Sequence, residues 1–397
     1  MHQLLKGVRV IDLTTVVLGP YATRLLADFG ADVIKIEPPE GDVFRAVRPG
    51  RSARMGAGFL NCNRNKRSVV LDLKQAEGRE ALLNLVRGAD VVVHNMRPKS
   101  AEKLGLSFRQ LHACNDKLVY CYAPGFGQHG RYADLPAYDD IIQAMSGVAI
   151  LNADGNGEPR FLPTIVCDKV GGLHLALAVL AGVAHQQATG QGCCIEVPMF
   201  ESMVSFLMTE QLAGETFVPA LGSTGYERLL SPYRKPFRTS DGYVTILPYT
   251  TLHWRSFLTV VGHPELAEQA WVKDPGARSA RVNELYKLIS EVTPTRTTAQ
   301  WLTAMEQIDV PCAALSSVAD LLDDAHLRDV NFFAATEHPT QGRIRATRSP
   351  FWVQGVGTQP DNPAPELGGD SRAVLSEAGF TAEQIEKLVA LGVVKAA

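Results

Sequence analysis

Over the first third of the chain, apolar positions alternate between two periods. Residues 8–13 form a short, nearly continuous apolar run, the pattern of a strand covered on both faces. Pro20 then opens a helix that Gly30 closes, with Tyr21, Leu25 and Phe29 on one face. The pattern continues as strands at 33–36 and 69–73, a helix at 75–87, a strand at 91–94, a short helix at 108–114 and a strand at 118–122. Apolar strands separated by amphipathic helices predict βαβ units and an α/β fold on a parallel sheet with helices on both faces. Ligands of such sheets lie beyond the carboxyl ends of the strands, which here carry residues 14–20, 37–42, 95–98 and 123–130.

A helical block at 171–185 ends at Thr189-Gly190-Gln191-Gly192, followed by a strand at 193–197 and a helix from Pro198 to Leu212. Residues 214–225 read as a linker. From 226 the character changes to short strands (243–247), helices (254–261 and 299–306) and many loops, which predicts a smaller α+β domain. A polar, proline-rich crossing at 360–369 leads to short helices at 371–378 and 381–390, where Thr381 and Gln384 fit a capping box. The predicted organisation is therefore 1–213 as the large domain, 214–225 as linker and 226–329 as the small domain. Residues 330–397 return to complete the large domain.

With 46% hydrophobic and 20% charged residues among 397, the chain has material for a real core and is not a disordered protein. Lys+Arg number 39 against 42 Asp+Glu, so no basic excess points to nucleic acid or a membrane surface. The longest apolar run, 173–184, contains His174 and falls short of the ~18 residues of a membrane span. Arg9 and Asp12 interrupt the N-terminal apolar stretch, so no signal peptide is visible. Seven cysteines without a CxxC pair or metal-ligand spacing read as reduced thiols, which predicts a cytoplasmic protein.

The familiar site signatures are missing. Val16-Val17-Leu18-Gly19-Pro20 offers one glycine where a dinucleotide fingerprint needs three, which disfavours a nicotinamide-dependent dehydrogenase. No phosphate-binding GxxxxGK(S/T), GxSxG or HExxH occurs, and the ten histidines are scattered. One acidic position stands out. Asp168, in Thr164-Ile165-Val166-Cys167-Asp168-Lys169-Val170-Gly171-Gly172, ends an apolar run at the start of a small-residue helix. It suits an N-cap. From spacing alone the N-cap is the favoured reading, but the position also suits a nucleophile, since a helix N-terminus favours the ionised carboxylate, and Gly171 and Gly172 would let a substrate approach backbone N–H groups. A basic set, Arg45, Lys66, Arg67, Lys74, Arg97 and Lys103, falls on the loops of the sheet. Singly each reads as solvated charge; together at strand ends they can pair with phosphates.

Gly7-Val8-Arg9-Val10-Ile11-Asp12-Leu13, Gly19-Pro20, and Gly30-Ala31-Asp32-Val33-Ile34-Lys35-Ile36-Glu37-Pro38-Pro39 with Gly41-Asp42 and Arg45 occur in that order. Asn65-Lys66-Arg67-Ser68, Leu71-Asp72-Leu73-Lys74, Asn95-Met96-Arg97-Pro98, Leu104-Gly105, Tyr138-Asp139, the Asp168 segment and Gly190-Gln191-Gly192 follow. Ala364-Pro365-Glu366-Leu367-Gly368 and Leu391-Gly392-Val393-Val394 close the series. In order and spacing the series resembles the class III CoA-transferase family, which includes the formyl-CoA and carnitine CoA-transferases. The resemblance implies that Asp168 is the nucleophile. It puts coenzyme A contacts at Val17, Leu18, Leu71, Asp72, Lys74, Asn95, Met96, Arg97, Lys103, Tyr138 and Asp139. It further implies a Rossmann-like large domain, a small domain that helps to close over the acyl site, and a homodimer of two interlocked rings. Acyl-CoA and a carboxylic acid would be the substrates, with no cofactor held permanently.

The sequence also departs from better-known relatives. Val17 stands where several carry glutamine, Pro38 and Pro136 where formyl-CoA transferase has basic residues, and Lys103 where some have arginine. An acyl pocket unlike the formyl/oxalyl type is therefore expected. Arg228, Arg234, Lys235 and Arg238 at the start of the small domain favour a small dicarboxylate such as succinate, and residues 222–225 are the expected flexible part of a lid. Two alternatives share the fold. An α-methylacyl-CoA racemase needs a histidine where this chain has Tyr138, and a phenol of pKa ~10 is a poor base at neutral pH. A non-catalytic acyl-CoA-binding protein would have no need of Asp168.

Overall fold

A computed structural model describes residues 1–396, which form two compact units: Met1–Leu207 with the chain from Asp329 onward, and Met208–Arg328. The first unit holds β1 (Arg9–Asp12), β2 (Asp32–Glu37), β3 (Lys66–Leu71), β4 (Val91–His94), β5 (Val119–Tyr122) and β6 (Cys193–Glu196). The second holds β7 (Phe237–Arg238), β8 (Tyr243–Ile246) and β9 (Cys312–Ala314). The chain then returns to the first unit with β10 (Phe333–His338), β11 (Gly342–Thr347) and β12 (Val394–Lys395).

The first unit is a mixed α/β structure around a seven-stranded sheet of order β12-β3-β2-β1-β4-β5-β6. All pairs are parallel except β12 with β3. Val10, Ile11, Val91, Val92 and Val93 are fully buried, because helices cover both faces. On one face the helices Leu18–Asp28 and Val166–Thr189 pack over Val10, Val91 and Val119. On the other, the helix Ala76–Arg87 and the C-terminal helices Ser371–Glu377 and Ala382–Ala390 enclose Ile11, Ile34 and Val92. Thr381 and Gln384 cap the last helix reciprocally, as their spacing predicts.

The helix Val166–Thr189 starts five residues before the expected 171 and runs past 185. By length and composition it is the one helix among the described residues able to cross a membrane, and half of its most apolar stretch is buried as a core element of this unit. Gly171 and Gly172 explain how closely it packs. A Cβ on Gly171 would lie 2.8 Å from Leu18 Cδ1, and one on Gly172 would lie 2.7 Å from the Leu18 carbonyl and 3.0 Å from Tyr21 Cδ1. These glycines therefore serve helix contact and do not open a path for substrate.

Strand β3 runs over Lys66–Leu71, three residues ahead of the expected 69–73, because it opens on two charged residues, Lys66 buried and Arg67 half-buried. Lys66 Nζ lies 3.0 Å from Asp12 Oδ2, and Arg67 reaches Asp32 at 2.7 Å and Glu377 at 2.8 Å. Arg45 pairs with Glu37 at 2.7 Å, and Lys35 with Asp42 at 3.0 Å. Burial opposes the ionisation of Asp12, yet Lys66 and Lys35 hold it down at about 2; burial brings Lys66 down to about 8. Three members of the predicted phosphate-pairing set, Arg45, Lys66 and Arg67, are thus structural. An apolar-run criterion cannot see a strand that buries its charges in pairs.

The antiparallel β10–β11 hairpin was not expected in the return segment; its alternation, Arg343-Ile344-Arg345-Ala346-Thr347, is the strand signal that was present. In the second unit β7, β8 and β9 form an antiparallel sheet whose core includes Trp254, Phe257, Tyr286 and Trp301. The helix Val282–Val292 here was likewise not expected from sequence.

Candidate active site

Strand order reverses at β1: the chain proceeds to β2 and β3 on one side and to β4, β5 and β6 on the other. The crevice at such a switch point lies between the loops leaving β1 and β4. Those loops are clipped together, with Thr15 N donating to Asn95 Oδ1 at 3.0 Å and Asn95 Nδ2 donating to the Thr15 carbonyl at 2.9 Å. Asp42 Oδ1 accepts from Val16 N at 3.1 Å, where Val16 holds φ 68°, an unfavourable conformation for a β-branched residue. The helix Leu18–Asp28 starts immediately afterwards, without a side-chain cap.

A cleft of about 220 Å³ occupies this position. Val17, Leu18, Asn95, Arg97, Tyr138 and Asp168 all line it, so it brings together six of the predicted site residues. Ala123–Gly125 from the loop after β5, and Met199, complete its walls. Among the described residues Asp168 is the only carboxylate in the lining. A larger cavity of about 510 Å³ lies beside the β10–β11 hairpin, but its one carboxylate, Asp361, is paired with the amino terminus at 2.8 Å.

Asp168 is the third residue of its helix, not the N-cap; that position belongs to Ile165, which has no capping side chain. The cap comes from elsewhere. Asp139, the first residue of the helix Asp139–Ser146, accepts from Cys167 N at 2.7 Å and Asp168 N at 3.0 Å through Oδ1. Its Oδ2 accepts from Gln143 Nε2 at 2.7 Å, and Gln143 Oε1 accepts from Leu162 N at 2.9 Å. Asp139 and Gln143 therefore pin residues 162–168. Val166 N donates to the Thr164 carbonyl at 2.7 Å and Lys169 N to that of Ile165 at 3.2 Å, so this first turn leaves no amide for an oxyanion. The expectation that the Asp168 helix supplies such amides fails for that reason.

Burial, and then the charge of Asp139, pushes the Asp168 carboxyl up to about 7. The helix N-terminus still favours its anion. The result is a carboxylate far more basic than an exposed one and held in one place. No other carboxylate faces it across the cleft, and no histidine lines the cleft.

The remaining predicted contact residues lie outside this lining. Leu71 is buried in the core and Met96 packs against it. Asp72 accepts from Lys74 N and Gln75 Nε2, both at 3.0 Å. Lys74 and Lys103 are exposed and, like Arg97 in the lining, form no ion pair among the described residues. Asp139 is buried and fully engaged as the cap. Sequence reasoning missed Gln143; its i+4 spacing from Asp139 was the available signal.

Residues 5–371 match the model of CoA-transferase family III. The chain belongs to that family. It is 34% identical over 386 residues to the succinyl-CoA:mesaconate CoA-transferase of Haloarcula hispanica, covering 94% of this chain and 96% of that protein. With the succinate–glutarate CoA-transferase of Agrobacterium fabrum it shares 31% identity, covering 94% and 95%. Among solved structures it resembles a CAIB/BAIF family protein from Brucella suis (TM-score 0.78, 29% identity, 95% and 100% covered). It also resembles Rv3272 from Mycobacterium tuberculosis (TM-score 0.79, 27% identity, 94% and 99% covered). The enzyme is accordingly a family III CoA-transferase that uses CoA thioesters and carboxylates.

Proposed function

We propose that this enzyme moves CoA between small dicarboxylic acids through covalent catalysis by Asp168. The observation that carries the reading is that Asp168 is the only carboxylate lining the switch-point cleft. The Asp168 carboxylate attacks the donor thioester carbonyl, giving a mixed anhydride and CoA thiolate. The thiolate attacks the aspartyl carbonyl, releasing the donor acid and leaving aspartyl-CoA thioester. The acceptor carboxylate attacks that thioester, re-forming an anhydride and CoA thiolate. Attack of the thiolate on the acceptor's acyl carbonyl yields the new acyl-CoA and frees Asp168. Burial favours each step by keeping water from the intermediates.

Among the described residues the amides of Val17, Leu18 and Gly19 have no acceptor, and Val17 and Leu18 line the cleft. They are the proposed donors to the developing oxyanion. Arg97, Lys74 and Lys103 are the free cations proposed to meet the CoA phosphates, with Leu71, Asp72, Asn95, Met96 and Tyr138 along its path. The dicarboxylate class rests on the acids in the names of the two relatives, succinate, mesaconate and glutarate. A cytoplasmic homodimer of interlocked subunits is part of the proposal. Leu173 and Leu177 on the Asp168 helix are 51% and 65% exposed, an apolar face suited to a partner subunit.

The test is transfer from succinyl-CoA to a panel of mono- and dicarboxylic acids in deuterated water, read by mass spectrometry. The expected result is a new CoA ester and free succinate in equal amounts, no deuterium at the α-carbon, and hydroxylamine trapping on Asp168. Asp168→Ala should abolish transfer. Deuterium entry into a 2-methylacyl-CoA without transfer to any acid would replace the proposal by a racemase.

A further inference from the structure

A pocket of about 200 Å³ lies within the second unit, lined by Arg228, Tyr249, Trp254, Arg278, Val282 and Tyr286 among others. Two guanidinium groups serve it. Arg228 Nε donates to the Tyr286 hydroxyl at 2.9 Å, and its guanidinium carbon lies 5.0 Å from the centre of the Tyr249 ring. Arg278 is only 7% exposed; its Nη1 donates to the Val272 carbonyl at 2.5 Å and to Thr251 Oγ1 at 3.0 Å.

All of these partners are neutral. Neither arginine forms an ion pair among the described residues, whereas the neighbouring Arg255 and Arg281 pair with Glu268 and Glu284 at 2.5 Å and 2.7 Å. The lining contains no carboxylate. Asp274, the acid that acts on Arg278 electrostatically, spends its Oδ1 on Ala277 N at 2.7 Å and stays outside the lining. A buried guanidinium without an ion-pair partner is costly, and the half-buried Arg228 brings a second guanidinium to the same small pocket as Arg278, a lining that suits an anion. The planar fork of arginine matches a carboxylate in two parallel hydrogen bonds. Trp254 and Val282 offer apolar wall for a short methylene chain.

We propose that this pocket binds one carboxylate of a short aliphatic dicarboxylic acid, with Arg228 and Arg278 as the charged contacts and Trp254 and Val282 against the methylenes. The inference rests on the dicarboxylate reading above and gives that class a recognition site of its own. It assigns the role to Arg228 rather than to Arg234, Lys235 or Arg238, none of which lines the pocket.

The test compares full-length wild type with Arg228→Gln and Arg228→Lys. It has two readouts, calorimetric binding of glutarate and of 3′,5′-ADP. Loss of a charged hydrogen-bond partner is expected to weaken glutarate binding by about tenfold or more in Arg228→Gln. Arg228→Lys should recover part of that binding, which a folding defect would not. Unchanged glutarate binding in Arg228→Gln overturns the proposal, and so does a loss confined to 3′,5′-ADP, which would make the pocket a phosphate site. If wild type transfers CoA to no dicarboxylate, the substrate reading fails instead, and the glutarate binding comparison still decides the pocket.

Discussion

Replacing Asp139 by asparagine separates its charge from its hydrogen bonds. An amide oxygen can accept from Cys167 N and Asp168 N as Asp139 Oδ1 does now at 2.7 Å and 3.0 Å. The negative charge beside Asp168 disappears. Burial is the larger cause of the rise of Asp168 to about 7, and Asp139 the second. Removing the charge should therefore lower the Asp168 pKa by less than half of its displacement from 3.8. The assay is kcat/KM for CoA transfer from about pH 5 to pH 9, since that ratio reports groups of the free enzyme. Wild type should gain activity as pH rises through about 7, where Asp168 ionises. In Asp139→Asn that limb should move toward acid. The cost is local: Gln143 Nε2, now 2.7 Å from Oδ2, would face an amide nitrogen, which should lower stability by about 1–3 kcal/mol. Asp139→Ala, which strips the cap from both amides as well, should lose activity at every pH. An Asp139→Asn limb that stays in place or moves toward alkali would refute the electrostatic role.

Asp168→Asn should stabilise the fold at pH 8 and not at pH 4. The folded pKa of about 7 lies above the ordinary 3.8, so the ionised form costs up to about 4 kcal/mol once pH exceeds the folded value, and melting temperatures at the two pH values check it. Gly172→Ala would press a Cβ to 2.7 Å from the Leu18 carbonyl and should cost about 1–3 kcal/mol, with activity falling further because Leu18 lines the cleft; thermal melts and kcat measure the two effects. Lys66→Met would remove the ion-pair partner of buried Asp12, leaving it Lys35 nearby and the Thr14 and Thr23 hydrogen bonds, and should cost about 3 kcal/mol in denaturant titration. Sedimentation should show a dimer that dilution does not dissociate without unfolding, and an active monomer would contradict the interlocked arrangement.

The parallel sheet was legible because its strands are apolar runs and its helices carry a clean 3.6-residue stripe; residues 91–94 match the observed strand residue for residue. What escaped was structure specified by partners far along the chain. Lys66 and Arg67 look like surface charges until Asp12 and Asp32, more than thirty residues earlier, take them into β3. The start of the Asp168 helix was misplaced for a related reason. Its cap is Asp139, on another helix, and no local pattern at Ile165 announces it. Gly171-Gly172 shows the opposite error: the residues were noticed, but small side chains fit close helix contact as well as substrate access, and only the position of Leu18 decides between them.

These particulars share one logic. The Leu18–Asp28 helix presents uncapped amides to the cleft, and the Asp168 helix presents its carboxylate. Thioester attack needs both at fixed separation, since a nucleophile displaced by about 1 Å loses much of its advantage. The two glycines let the Asp168 helix approach the Leu18 carbonyl and the Leu18 and Tyr21 side chains closely, and that packing sets the distance between the two helices. The cap by Asp139 then fixes the rotation of the Asp168 turn while its charge raises the proton affinity of the Asp168 carboxylate. An ordinary N-cap at residue 165 would satisfy the same amides without that charge. Taking the cap from a second carboxylate therefore destabilises the ionised ground state of Asp168, and that is the state from which the proposed attack begins.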